Sequence, residues 1–144
     1  MIREIQTSDL DKLLNLYLFL HENELPAPDD NLKSLWEQII NDPNHHIVIA
    51  EENNILVSSC VCVIIPNLTC GMRPYALIEN VVTHKSYRSR GHATACLAYA
   101  KSIAKDTGCY KIMLLTSSKE ESTHKFYRGA GYNSDDKTAY IQWL

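Results

Sequence analysis

The sequence predicts an α/β domain: a mixed β-sheet with helices against its faces. Three observations predict it. Strand-like apolar runs recur at residues 46–50, 55–65, 75–83 and 110–116, the first two rich in Val and Ile. Amphipathic stretches at helical spacing precede and separate them. The chain order is β-α-α-β-β-β-α-β-α-β, strand runs first and alternating elements afterwards, which indicates a mixed rather than a purely antiparallel sheet. With 144 residues, 45% apolar and 22% charged, the chain suits one domain with one core over residues 1–144.

Residues 1–5 read as a short first strand. Thr7 or Ser8 is expected to cap the first helix, with Asp9 and Asp11 favourable in its first turn. Leu10, Leu13, Leu14, Tyr17 and Leu20 follow at helical spacing, and Pro26 and Pro28 break the chain. A second helix carries Leu32, Leu35, Trp36, Ile39 and Ile40 on one face and ends at Asn41-Asp42-Pro43. Residues 46–50 and 55–65, joined by Glu51-Glu52-Asn53-Asn54, read as a hairpin. The segment from Pro66 to Pro74 reads as an exposed loop, and residues 75–83 as another strand. A helix from about 91 to 106 shows Ala93, Cys96, Leu97, Ala100, Ile103 and Ala104 on one stripe, stopped by Thr107-Gly108. Residues 110–116 read as a buried strand. Ser118-Lys119-Glu120-Glu121 reads as a capping box before a helix that runs to about Arg128, with Gly129 and Gly131 at its end. The tail at 137–143 reads as a last strand.

Composition excludes several classes. Net charge is −3 and the Lys and Arg residues are scattered, so nucleic acid is not an expected partner. No apolar run approaches the roughly 18 residues that span a bilayer, so no membrane partner is expected. The first residues lack the apolar core of a signal peptide, and the expected location is the cytoplasm. Five cysteines, Cys60, Cys62, Cys70, Cys96 and Cys109, are odd in number and fit no zinc spacing. They read as reduced thiols, with Cys60 and Cys62 on one face of a strand. His45-His46 lacks a partner at ligand spacing, and no metal is expected.

The informative segment is Tyr87-Arg88-Ser89-Arg90-Gly91-His92-Ala93-Thr94, between an apolar strand and an amphipathic helix. A glycine turn entering a helix leaves several backbone N–H groups without intrahelical partners. The helix dipole adds positive charge there, which favours an anion such as a pyrophosphate. Gly91 allows close approach of the backbone, Ala93 is small, and Arg88, Arg90 and Lys85 add charge. The plain alternative is a strand-to-helix loop with exposed arginines.

Arg88-x-x-Gly91-x-Ala93 resembles the Arg/Gln-x-x-Gly-x-Gly/Ala signature of the GNAT superfamily of N-acetyltransferases. Ile78-Glu79-Asn80-Val81-Val82 precedes it as that family's central strand does. Phe126-Tyr127-Arg128-Gly129-Ala130-Gly131-Tyr132 resembles the family's Phe-Tyr-x-x-x-Gly-Phe ending. The chain departs from the family at Ala93, where many members have glycine, and at Glu120, where asparagine is common. The resemblance covers nearly the whole chain, and it implies a GNAT fold with splayed central strands, acetyl-CoA as cosubstrate and a small-molecule amine as acceptor.

The resemblance also assigns roles. Backbone groups of Val81 and Val82 would pair with the pantetheine arm as an added strand would. Arg88, Ser89, Arg90, Gly91, His92, Ala93 and Thr94 would hold the pyrophosphate. Tyr127 matches the family's general acid for the leaving thiolate, the alternative being an aromatic packed at the core edge. Glu79 is the candidate base; glutamates there occur in members resembling amino-sugar acetyltransferases. A charge within this apolar strand is unexpected, since burying it costs energy without a partner, and the alternative is a solvated sheet face. His84, His92 and His124 are weaker candidates for chemistry. The acceptor walls, by analogy, are the loop around His21, Glu22, Glu24 and Pro26 and the loop from Asn67 to Tyr75. The other readings are a peptide or protein N-acetyltransferase and a CoA-binding sensor without turnover. Many relatives dimerise, so a homodimer stays open.

Overall fold

A computed structural model describes residues 1–20 and 24–144. Its elements run β1 (Ile2–Glu4), α1 (Leu10–Tyr17), α2 (Asp30–Asn41), β2 (His45–Glu52), β3 (Ile55–Ile65), the single turn α3 (Thr69–Met72), β4 (Tyr75–Thr83), α4 (His92–Asp106), β5 (Ile112–Leu114) and α5 (Glu121–Gly129). The strands form one sheet in the order β1-β2-β3-β4-β5. Neighbours are antiparallel up to β4, and β4 and β5 are parallel, so the sheet is mixed as its pattern predicts.

The two faces of the sheet are both covered, which explains the near-continuous apolar runs of β2 and β3. On one face Val48, Cys60, Cys62 and Ile78 pack with Cys96, Leu97 and Ala100 of α4. On the other, Ile47, Ile49, Val61 and Val82 pack with Leu13 and Leu16 of α1 and Trp36 of α2. Alternate residues of a strand point to opposite faces, so Ile47 and Val48 serve different layers. Trp36 is anchored by its indole N–H, which donates to the Thr7 carbonyl at 3.1 Å.

Several local expectations are corrected. Neither Thr7 nor Ser8 caps α1: residues Thr7–Asp9 form a 3-10 turn, and the Asp9 carboxylate accepts from the Gln6 N–H at 2.9 Å. Glu51 and Glu52 belong to β2, and only Asn53 and Asn54 turn the hairpin, with φ of 51° and 63°. That is the two-residue turn whose left-handed backbone suits asparagine. Ser118 is not the cap of α5, which starts at Glu121; its hydroxyl bonds Thr123 Oγ1 at 3.0 Å instead. The strand expected at 110–116 shrinks to Ile112–Leu114 and is half-buried, because it pairs with β4 alone and forms the sheet's edge. The last strand expected at 137–143 does not form, and Tyr140 and Trp143 are 92% and 84% exposed. Alternation gives that tail the composition of a strand, but among the described residues it has no ladder partner.

Candidate functional site

The site begins with an irregularity in β4. Val61 faces Glu79 and Ser59 faces Val82, so two steps along β3 span three along β4. Asn80 absorbs the extra residue with a φ of 50°, a left-handed conformation that asparagine tolerates better than most side chains. The pairing of β4 with β5 stops at Ile78, whereas its pairing with β3 continues to Thr83. Residues 79–83 therefore have no strand beside them on the β5 side. Val81 and Val82 lie in this open stretch, and Ser58 Oγ donates to the Val82 carbonyl at 2.8 Å, tying it to β3.

The open stretch leads directly into the glycine turn. Residues Lys85–Tyr87 form a 3-10 turn capped by His84, whose Nδ1 accepts from the Ser86 N–H at 3.2 Å. Ser89 and Gly91 both take positive φ, 60° and 82°. The Ala95 N–H donates to the Gly91 carbonyl at 2.9 Å. The amides of His92, Ala93 and Thr94, in the first turn before that bond, have no intrahelical carbonyl to reach. A Cβ added at Gly91 would meet nothing within 4 Å, so the turn opens onto free space. Arg88 and Arg90 are exposed beside it, with the Arg90 guanidinium 5.0 Å from the centroid of the Tyr87 ring. Glu52 joins this group unforeseen, 3.3 Å from His92 Nε2 and 4.0 Å from Arg90.

Tyr127 is half-buried on α5, its ring between Phe126 at 5.0 Å and Tyr132 at 6.3 Å between centroids. Burial pushes its phenol up, and the nearby Cys60 and Glu79 add to the effect. The phenol therefore stays protonated well above neutral pH, as a proton donor must. Glu79 lies in register with Val61, whose side chain packs on the α1 face. It is exposed, so the burial cost expected for a carboxylate in this strand does not arise. The bulge and the end of β5 together leave it at an open edge.

A model of the acetyltransferase (GNAT) family matches residues 10–132. The chain belongs to that family. A glucosamine 6-phosphate N-acetyltransferase of Trypanosoma brucei brucei is 33% identical over 82 residues, covering 57% of this chain. The match covers 54% of that relative, so the chain spans about half the length of the curated relative it matches. A solved structure of a putative acetyltransferase from Agrobacterium tumefaciens superposes with a TM-score of 0.91 at 33% identity, over 99% of both chains. That of glucosamine-6-phosphate N-acetyltransferase from Arabidopsis thaliana gives 0.87 at 20% identity, over 100% of this chain and 97% of that one, which shows the shared fold.

Within this GNAT domain, two hollows lie beside α1. Leu14, Tyr17, Glu24, Leu25 and Pro26 line a cavity of about 320 Å³. Two of the acceptor-wall residues, Glu24 and Pro26, are thus brought to it, while His21 and Glu22 lie outside the described residues. The loop from Asn67 to Tyr75 is largely exposed, with positive φ at Cys70, Gly71 and Met72. A second hollow of about 410 Å³ includes Lys12, Phe19, Asn54 and His84 in its lining. His84 packs there against Phe19, ring centroids 4.4 Å apart and planes tilted by 53°, which gives it a packing role. Among the described residues no cluster of three His, Cys, Asp or Glu side chains is arranged to hold a metal ion. No helix among them is long and apolar enough to cross a membrane.

Proposed function

We propose that this acetyltransferase moves the acetyl group of acetyl-CoA onto the primary amine of a small, amino-sugar-like molecule. One observation carries the reading: the unpaired edge of β4 at residues 79–83 runs straight into the amide-lined turn at 88–94. A diphosphate held at the turn would leave its pantetheine arm alongside that edge, where backbone groups can bond it as a strand would. The residues present fit this cosubstrate: free amides, positive charge at Arg88 and Arg90, and open space at Gly91.

When bound, acetyl-CoA supplies an activated thioester. Glu79, at the open edge, takes the proton of the attacking amine, directly or through water. The neutral amine nitrogen then bonds the acetyl carbon and, as the carbon–sulfur bond breaks, releases its second proton to water. Tyr127 donates its proton to the departing thiolate. An amide of the bulged strand is suited to the negative charge that grows on the thioester oxygen. The 320 Å³ cavity beside Tyr17 and Glu24 has the size of a small-molecule site, and favours a small amine over a peptide or protein acceptor. The name of the relative from Trypanosoma supports an amino sugar. A homodimer is part of the proposal: the exposed apolar side chains of Tyr140, Ile141 and Trp143 and the open side of β5 offer a strand and an edge to a second copy.

The test is thiol release from acetyl-CoA with the purified chain and a panel of amino sugars, polyamines and peptides bearing free amino groups. Turnover is expected with one or more amino sugars. Turnover on peptides alone would replace the small-molecule reading. Calorimetry showing coenzyme A binding with no turnover on any amine would favour the sensor reading.

A further inference from the structure

At the bulge of β4 the pairing with β3 skips a residue, between Val61–Glu79 and Ser59–Val82. Tyr17 closes α1, packs in the core layer with Val61 and Val82, and borders the acceptor cavity. Ser59 belongs to the same layer, in register with Val82 and two residues from Val61, and both Ser59 and Asn80 draw the Tyr17 phenol back against the upward push of burial. Ser59 is 0% exposed, and among the described residues its Oγ has no hydrogen-bond partner. Asn80 carries the left-handed backbone of the bulge, and Ser59 sits opposite Val82 immediately past it.

Leaving a buried hydroxyl without a partner is destabilising, so Ser59 Oγ calls for one. The phenol of Tyr17 packs in the same layer. Tyr17 would donate its O–H to Ser59 Oγ and accept at its oxygen from the Asn80 side-chain amide. We propose that Tyr17 is a positioning residue: through Ser59 and Asn80 it fixes the β4 bulge and so aims the amides of Val81 and Val82 at the bound thioester arm. Burial keeps the phenol protonated, its pKa pushed up to about 12, so the tie persists through the neutral range. It also joins the acceptor cavity to the cosubstrate edge through one side chain.

The proposal rests on the acetyl-CoA reading, and its test separates the two. Calorimetry of acetyl-CoA binding to the full chain compares wild type, Tyr17→Phe, Asn80→Gly and the double variant. Glycine keeps the left-handed backbone and drops the side chain. Each single change should weaken binding about 3–10-fold, the worth of a hydrogen bond, and the double variant no further, because both cut the same tie. Tyr17→Phe binding as tightly as wild type, or losses that multiply, would overturn it. Ser59→Ala should weaken binding alone and add nothing to Tyr17→Phe; an added loss would also overturn it. In the ligand-free chain, Tyr17→Phe should shift the amide resonances of Val81 and Val82. Unmoved resonances defeat the tie whatever binds, whereas shifted resonances in a chain that ignores acetyl-CoA defeat only the cosubstrate reading.

Discussion

Glu52 Oε2 lies 3.3 Å from Nε2 of His92, the first residue of the helix whose amino end forms the anion cradle. The contact is at ion-pair distance but outside hydrogen-bond geometry. Glu52 also stands 4.0 Å from Arg90, so a carboxylate occupies the electrostatic neighbourhood that a phosphate would use. Its negative charge opposes an incoming anion. Glu52→Gln should therefore tighten coenzyme A binding by about 2–5-fold at low salt, with the gain fading at high ionic strength, because these side chains are partly exposed. Calorimetry at two salt concentrations reads both effects.

Gly91 sets the close approach. Its φ of 82° strains any side chain with a Cβ, although a Cβ there meets nothing within 4 Å. The strain costs about 1–2 kcal/mol, and the added bulk would project into the open space of the cradle. Gly91→Val should weaken coenzyme A binding at least tenfold while leaving the fold intact by circular dichroism. Unchanged affinity would place the diphosphate elsewhere.

Tyr127 and Glu79 are close enough that Glu79 contributes to the upward shift of the phenol, after burial and with Cys60. Tyr127→Phe should cut kcat about 100-fold with little change in coenzyme A affinity, the size of a lost general acid. Because burial raises the phenol above its ordinary range, its deprotonation should not depress the wild-type rate in the neutral or mildly alkaline range. Glu79→Gln should lower the rate most at low pH, where the acceptor amine is most fully protonated. Steady-state rates between pH 6 and pH 10 check all three.

How legible the site was depends on whether a feature is local or depends on register. The strand at 75–83 and the helix from His92 could be read from the sequence because apolar periodicity and Gly91 are local signals. The Phe126-Tyr127 pair was visible as a motif for the same reason. The bulge was not, since Asn80 becomes left-handed only where β4 must skip a residue opposite Cys60. Glu52 looked like part of a hairpin turn, because nothing local reveals that the end of β2 meets the start of α4. Tyr17 read simply as one apolar position of a helical stripe. At 137–143 the pattern gave a strand's composition without the partner that would make one. Ser118 misled in the opposite way: a hydroxyl that fits a capping box bonded Thr123 instead.

The thiols divide sharply by burial. Cys60, Cys62 and Cys96 are buried, and desolvation pushes Cys62 and Cys96 up to about 11 and Cys60 further. The thiolate is the reactive form, so these three should resist thiol reagents in the native chain. Cys70 is exposed and should react first. Cys70→Ser is expected to remove the fast phase of labelling, and denaturation of the wild type to release all five thiols. Fast labelling of a second buried cysteine would show that the α4 face of the sheet opens readily.

Arg3 staples the first strand to the rest of the domain. Its guanidinium donates to both oxygens of Asp9, at 2.7 and 3.2 Å, and to Glu51 at 2.9 Å. Asp9 is 4% exposed and also receives the Gln6 N–H. The Arg3 hydrogen bonds, with help from that N–H, hold its carboxyl below the usual carboxylate range. A depressed folded-state pKa adds stability above the unfolded value near 4, and that stability is lost as pH falls through the folded value. Asp9→Asn should keep the packing but remove this contribution. The variant should be less stable than wild type by roughly 1–3 kcal/mol at pH 7, allowing for the partial exposure of Arg3. The two should converge as the pH drops below 4. Urea unfolding at pH 7 and pH 3 measures the gap at each end. An undiminished gap at pH 3 would mean that the Asp9 side chain stabilises the turn through shape and hydrogen bonding alone, with no share from its charge.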